Sequence, residues 1–133
     1  MRKIINKYIG MDYEHRGNKG TVDCLSLVVD FLRDNDIYLP EDDGDLIDKK
    51  WYKDDPNRLI RELKKYANMK SIDEIKTLDV LVFKLQGVPK HAGVMVSRSK
   101  FIHAREGRKA TVTRLKHYKK YLHSIWRVES EVS

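Results

Sequence analysis

The chain has 133 residues, with 27 Lys and Arg against 20 Asp and Glu, for a net charge of +7. Residues 1–133 are expected to form a single domain, long enough to bury roughly two-thirds of its unfolded surface without a disulfide or metal staple. One cysteine, Cys24, excludes an internal disulfide. No apolar run approaches the ~20 residues of a membrane span. Charges at Arg2, Lys3 and Lys7 are not followed by an apolar stretch, so a cytoplasmic product without a signal peptide is expected.

In chain order, residues 1–9 predict a short helix with Ile4, Ile5, Tyr8 and Ile9 on one side. A turn-rich segment follows from Gly10 to Gly20. Thr21 or Asp23 can cap a helix reaching Asp34, whose Leu25, Leu27, Val28, Val29, Phe31 and Leu32 cover most of its circumference and predict a buried position. Ile37-Tyr38-Leu39-Pro40 is an extended exit, because a residue before proline avoids the helical region. Beyond the acidic loop Glu41–Asp45, Asp55-Pro56 reads as a helix start. Leu59, Ile60, Leu63, Tyr66 and Ala67 then form one face of a helix ending near Asn68.

From there the period changes. Val80–Phe83, Ala92–Val96, Phe101–Ala104 and Thr111–Thr113 are short β-type runs between turn signals. Leu115–Leu122 predicts a Lys/Tyr-rich helical segment, and Ser124–Val128 a last strand. Helices followed by an antiparallel meander define an α+β class.

Cys24 stands at the start of the apolar helix. A lone cysteine can serve as a small buried hydrophobe. At a helix N-terminus, however, free N–H groups and the dipole are expected to lower its pKa and to hold an oxyanion. His91 and His103 are the natural partners. A hairpin turning at Arg98-Ser99 would place them on adjacent strands, where either could also be a satisfied core histidine. Zinc bound by Cys24, His91 and His103 is chemically possible, but three ligands without a Cys-x-x-Cys or His-x-x-x-His pair make a poor set. The basic stretch from 98 to 120, with Lys116-His117-Tyr118-Lys119-Lys120-Tyr121, reads either as a solvated face or as a nucleic-acid strip. His15, His117 and His123 read as surface or loop residues, with His15 a candidate for a substrate groove.

These motifs in this order resemble the NlpC/P60 cysteine peptidases. The resemblance rests on Tyr13-Glu14-His15-Arg16-Gly17, Asp23-Cys24, Leu78–Phe83, His91–Val96 and Phe101–Ala104, and spans about residues 5–128. It implies a papain-like fold, with N-terminal helices carrying the nucleophile at a helix start and packed on an antiparallel sheet. It also implies Cys24 as nucleophile, His91 as base, His103 as the orienting residue twelve positions on, and Tyr13 as an oxyanion contact. Asp23 would be a helix-start acid or a contact to a substrate amine. The implied partner is a peptidoglycan stem peptide cut at a D-γ-glutamyl–diamino acid bond, with no cofactor, metal, membrane or nucleic acid. Trp51-Tyr52, Asn57-Arg58-Leu59, Tyr118 and Trp126-Arg127 look like the tail-tip-associated branch of bacteriophages and prophages, which implies tail proteins as partners and a virion-associated location. Two departures stand out: Leu25-Ser26 replaces the family's Ser-Gly after the cysteine, and Leu78 replaces the glycine of Gly-Asp-Val. A non-catalytic tail or scaffold protein that kept the fold, or a basic nucleic-acid-binding module, are the alternatives.

Overall fold

The computed structural model describes residues 2–14, 21–39 and 56–128. His15, the acidic loop Glu41–Asp45, Trp51-Tyr52 and Asp55 lie outside the described residues. Helix α1 (Arg2–Tyr8) leads into strand β1 (Asp12–Tyr13), which pairs in parallel with β2 (Thr21–Val22). Helix α2 (Cys24–Asp34) is capped by Asp23 rather than Thr21. The Asp23 carboxylate accepts the Ser26 N–H at 2.7 Å, and the Ser26 hydroxyl accepts the Asp23 N–H at 2.8 Å. This reciprocal box satisfies two donors that a helix start leaves open. The buried face of α2 is narrower than its apolar content predicts: Cys24, Leu27, Val28, Phe31 and Leu32 are buried, while Leu25 and Val29 are half-buried.

Helix α3 (Arg58–Tyr66) ends earlier than the sequence predicts, and Ala67–Lys70 forms strand β3 instead. Its pairing with the last strand, β8 (Leu122–Val128), overrides the helical pattern. Between them in the chain run β4 (Val80–Leu85), β5 (Val88–Met95), β6 (Lys100–His103) and β7 (Thr111–Arg114). The spatial order is β3-β8-β4-β5-β6-β7, antiparallel throughout. A simple meander is therefore corrected at one point, because β8 returns to lie between β3 and β4. The Leu115–Leu122 segment is two 3₁₀ turns, Leu115–His117 and Lys119–Tyr121, rather than one helix.

Strand parity divides the core. Val80, Val82, Ala92, Val94, Ile102 and Trp126 face the three helices of the described residues, meeting Tyr8, Leu27, Phe31, Leu32, Leu59 and Leu63. Leu81, Phe83, Met95, Phe101 and Ile125 face the other way, against Leu115 of the first 3₁₀ turn. The β4–β5 hairpin closes on Gln86 (φ 53°) and Gly87 (φ 78°), two left-handed residues in a tight turn that suits the strand twist. Leu78 has φ 76°, in the left-handed region that favours glycine, where a non-glycine residue costs about 1 kcal/mol. Its side chain packs against the helix-side core, and its N–H donates to the Met95 carbonyl at 2.7 Å. Behind it, Asp79 is buried and its two carboxylate oxygens accept from Arg127 Nε at 2.8 Å and Nη2 at 3.0 Å. Among the described residues, no helix is long and apolar enough to cross a membrane.

Candidate active site

Cys24 is the first residue of α2, 8% exposed. Its Sγ lies 3.7 Å from the Lys90 carbonyl oxygen, and the Ala92 N–H also points at it. The sulfur therefore sits against the strand backbone on both sides of His91. Strand β5 is irregular there: Phe83 of β4 pairs with His91 and Lys84 with Pro89, so Lys90 is one residue too many. Such a bulge bends the strand and re-aims the side chains beside it.

His91 and His103 are brought together. His91 Nε2 and His103 Nδ1 are 2.8 Å apart, and His103 Nε2 is 2.9 Å from Thr113 Oγ1. The register explains why. His103 pairs with Gly93, two residues from His91 on the same face, so the rings meet diagonally. Gly93 leaves the room for this. A Cβ there would stand 2.8 Å from both the Ile102 carbonyl oxygen and Phe101 Cδ2, and 3.2 Å from His103 Cβ.

Aromatic rings wall the pair. Phe83 lies 5.8 Å from His91, Phe101 4.6 Å from His103, and Tyr118 5.0 Å from His103 between ring centroids. The Tyr118 hydroxyl accepts from Arg105 Nη1 at 2.9 Å. Thr113, Gly93, Tyr118 and Arg105 are parts of the site that the sequence reading passed over as strand, turn or basic strip. Parity could have found Thr113, two residues beyond the partner of His103.

Burial sets the charge states. The His103 pKa is pushed down to about 4 by burial and then by the Arg105 charge. His91 is held well below its ordinary value by burial, His103 and Arg105. Both rings are neutral near pH 7. The expected lowering of the Cys24 pKa is corrected: it is pushed up to about 12. Burial is the main cause and the neighbouring Asp23 carboxylate adds to it, while the N–H groups of Ala92, Cys24 and Leu25 pull the other way and lose.

Tyr13 is carried by β1 beside Val22, two residues before Cys24. Asp23 is buried, with its carboxylate engaged in the helix cap. His117 and His123 are exposed, the latter bonded to Ser124 Oγ at 2.9 Å. Among the described residues, no group of three His, Cys, Asp or Glu side chains is arranged to hold a metal ion. The facing His91 and His103 nitrogens are 2.8 Å apart, a hydrogen-bond separation and shorter than the roughly 3.3 Å between two nitrogens held at about 2.0 Å by a tetrahedral zinc.

Comparison with known proteins bears on this geometry. No curated protein matches the sequence. Among solved structures, the NlpC/P60 domain of the peptidoglycan hydrolase SagA is 16% identical with a TM-score of 0.64, covering 96% of this chain and 94% of that one. An NlpC/P60 family protein of Bacillus cereus ATCC 10987 is 16% identical with a TM-score of 0.66, over 96% of this chain and 39% of that one. A lipoprotein-like NLP/P60 protein of Staphylococcus aureus Mu50 is 18% identical with a TM-score of 0.64, again over 96% and 39%. The chain thus spans about two-fifths of the length of the last two. At these identities the likeness establishes the fold. The NlpC/P60 family model matches residues 10–127, the span that holds the cysteine helix, the bulged strand and both histidines, and the chain belongs to the NlpC/P60 family.

Proposed function

We propose that this protein is a cysteine peptidase that hydrolyses peptidoglycan stem peptides. The observation that carries the reading is the row His91, His103 and Thr113, joined at 2.8 and 2.9 Å and built beside a cysteine at a helix start. If His91 Nδ1 is to accept the thiol proton, its Nε2 carries hydrogen and donates to His103 Nδ1. His103 Nε2–H then donates to Thr113 Oγ1. The chain runs one way, so His103 fixes both the tautomer and the orientation of His91.

A thiol raised to about 12 beside a neutral imidazole is not a preformed ion pair. Proton transfer then accompanies attack: His91 takes the Cys24 proton as Sγ bonds to the scissile carbonyl carbon. The Cys24 N–H, with the Tyr13 hydroxyl, holds the oxyanion. Collapse expels the amine, which receives the proton from His91, and leaves a thioester. Water attacks that thioester, giving its proton to His91. Cys24 leaves with that proton, and the free acid is released. The bond is the D-γ-glutamyl–diamino acid linkage, with Asp23 near the substrate amine.

Cys24→Ala is expected to abolish release of stem-peptide fragments, at least ~10⁴-fold in kcat, without loss of folding. Mass spectrometry of digested muropeptides reads both the reaction and the bond. Wild type inert on walls of several chemotypes would instead support a scaffold protein that kept the fold.

A place in a phage or prophage tail is the finer part of the proposal. It rests on sequence resemblance. Trp51-Tyr52 lies outside the described residues, while Trp126 and Arg127 serve the core and the Asp79 pair. Finding the chain in purified tailed particles would support it, and its absence from them would sink it.

A further inference from the structure

Residues 98–121 hold nine Lys and Arg against one acidic residue, Glu106, a net +8. The whole chain is +7, so everything else sums to −1. The positive charge is therefore a local feature of this segment: Arg105, Arg108 and Lys109 lie in the β6–β7 connection, and the other six flank the β5–β6 turn and the 3₁₀ turns at the opposite end of those strands. The fold gathers it further: the Leu115 N–H donates to the Ser99 carbonyl at 2.8 Å, tying the β5–β6 turn to the first 3₁₀ turn. Arg98 and Lys100 on one side, and Arg114, Lys116, Lys119 and Lys120 on the other, are all exposed. Lys100 and Arg114 are direct cross-strand partners. Like charges so placed destabilise a sheet, and among the described residues no carboxylate pairs with any of the six.

We propose that this surface docks an anionic polyol-phosphate polymer of the cell wall, which rests on the peptidoglycan reading above. Scattered ammonium and guanidinium groups, with Tyr121 the one exposed tyrosine or phenylalanine ring among residues 98–121, suit a flexible phosphodiester chain, bound with release of its counterions. Nucleic acid fits less well. Tyr118, the aromatic that would interleave the lysines, is turned inward against Phe83, Phe101 and His103. Tyr121 packs edge-on to Tyr118 with Lys120 over its ring. The surface shares strand β7 with the site: Arg114 follows Thr113, the residue bonded to His103, with its side chain on the opposite face of the sheet. A polymer held there keeps neighbouring stem peptides close to Cys24.

The test is co-sedimentation of the Cys24→Ala protein with walls that retain their phosphate polymer and with the same walls stripped by hydrofluoric acid. Stripping should weaken binding at least tenfold, and added salt should weaken it on intact walls. Combining Arg98→Gln, Lys100→Gln, Arg114→Gln and Lys116→Gln should lose at least tenfold on intact walls and little on stripped ones. Lys100→Arg with Lys116→Arg should keep binding, which separates charge loss from misfolding. Equal binding to both walls, undiminished binding by the fourfold variant, or displacement by duplex DNA at lower phosphate concentration than soluble wall polymer would each overturn the proposal. Hydrolysis of soluble muropeptides by the fourfold variant with Cys24 intact reads the peptidase assignment separately. That activity can fail while wall binding persists.

Discussion

The two faces of the six-stranded sheet are built from different chemistry. Toward the helices the surface is aliphatic apart from Trp126, and the helices bring Phe31, Leu27, Leu32 and Leu63 to it. On the other face Phe83, Phe101 and Tyr118 surround two histidines and a threonine in a bonded row. One face holds the fold by burial alone. The other uses burial to keep two titratable rings neutral. A change on the first should therefore appear in stability, and a change on the second in pH response and reactivity.

Four substitutions or conditions separate the faces. Phe31→Ala on the helix side removes a fully buried ring and should cost about 3–5 kcal/mol, read by denaturant unfolding. Its pH profile should keep the wild-type shape. Gly93→Ala puts a methyl group against the Ile102 backbone between the histidines, and should cost about 1–3 kcal/mol while sharply lowering turnover. A stable, fully active Gly93→Ala would dissolve the argument for a diagonal ring contact. Third, both histidine pKa values are lowered by folding, so the unfolded chain takes up protons first on acidification. The stabilising contribution of His103 is complete above pH 6.5 and lost as the pH falls toward about 4, and that of His91 is likewise lost below pH 6.5. The slope is about 1.4 kcal/mol per pH unit for each ring, and His103→Gln should flatten it. Asp23→Asn is the mildest. Asparagine caps a helix as well as aspartate does, so stability should move by under about 0.5 kcal/mol. Removing the carboxylate should nevertheless shift Cys24 alkylation to lower pH, and an unshifted profile would assign the raised thiol pKa to burial alone.

Legibility in the sequence follows the same division. The Asp23 start of α2, the hairpin placing His91 and His103 on neighbouring strands, and the α+β order are local in origin. Each rests on a cap, a turn or a strand period. Strand β3 was not legible, because Asn68 and Met69 are exposed on an edge and their extended state comes from β8. The bulge at Lys90 had a mark in Pro89, since proline within a sheet is confined to edges, strand starts and bulges, but proline alone does not say which of these it marks. The thiol pKa was misread for a related reason: the helix start is visible in the chain, but the burial that outweighs it depends on packing against β5. Leu78 shows the reverse case, since the glycine missing from the family pattern marks a backbone position that still needs φ near +76°.

The position of β8 also bears on the order of assembly. It is the last of these strands to be synthesised, yet it lies inside the sheet, where it bonds to β3 and to β4. Until it emerges, β3 has no partner and one edge of β4 stands open. Unpaired edges of this kind invite pairing with other chains. Folding should therefore complete only after Val128 clears the ribosome, and a chain cut before Leu122 should expose a sheet edge rather than lose a dispensable tail.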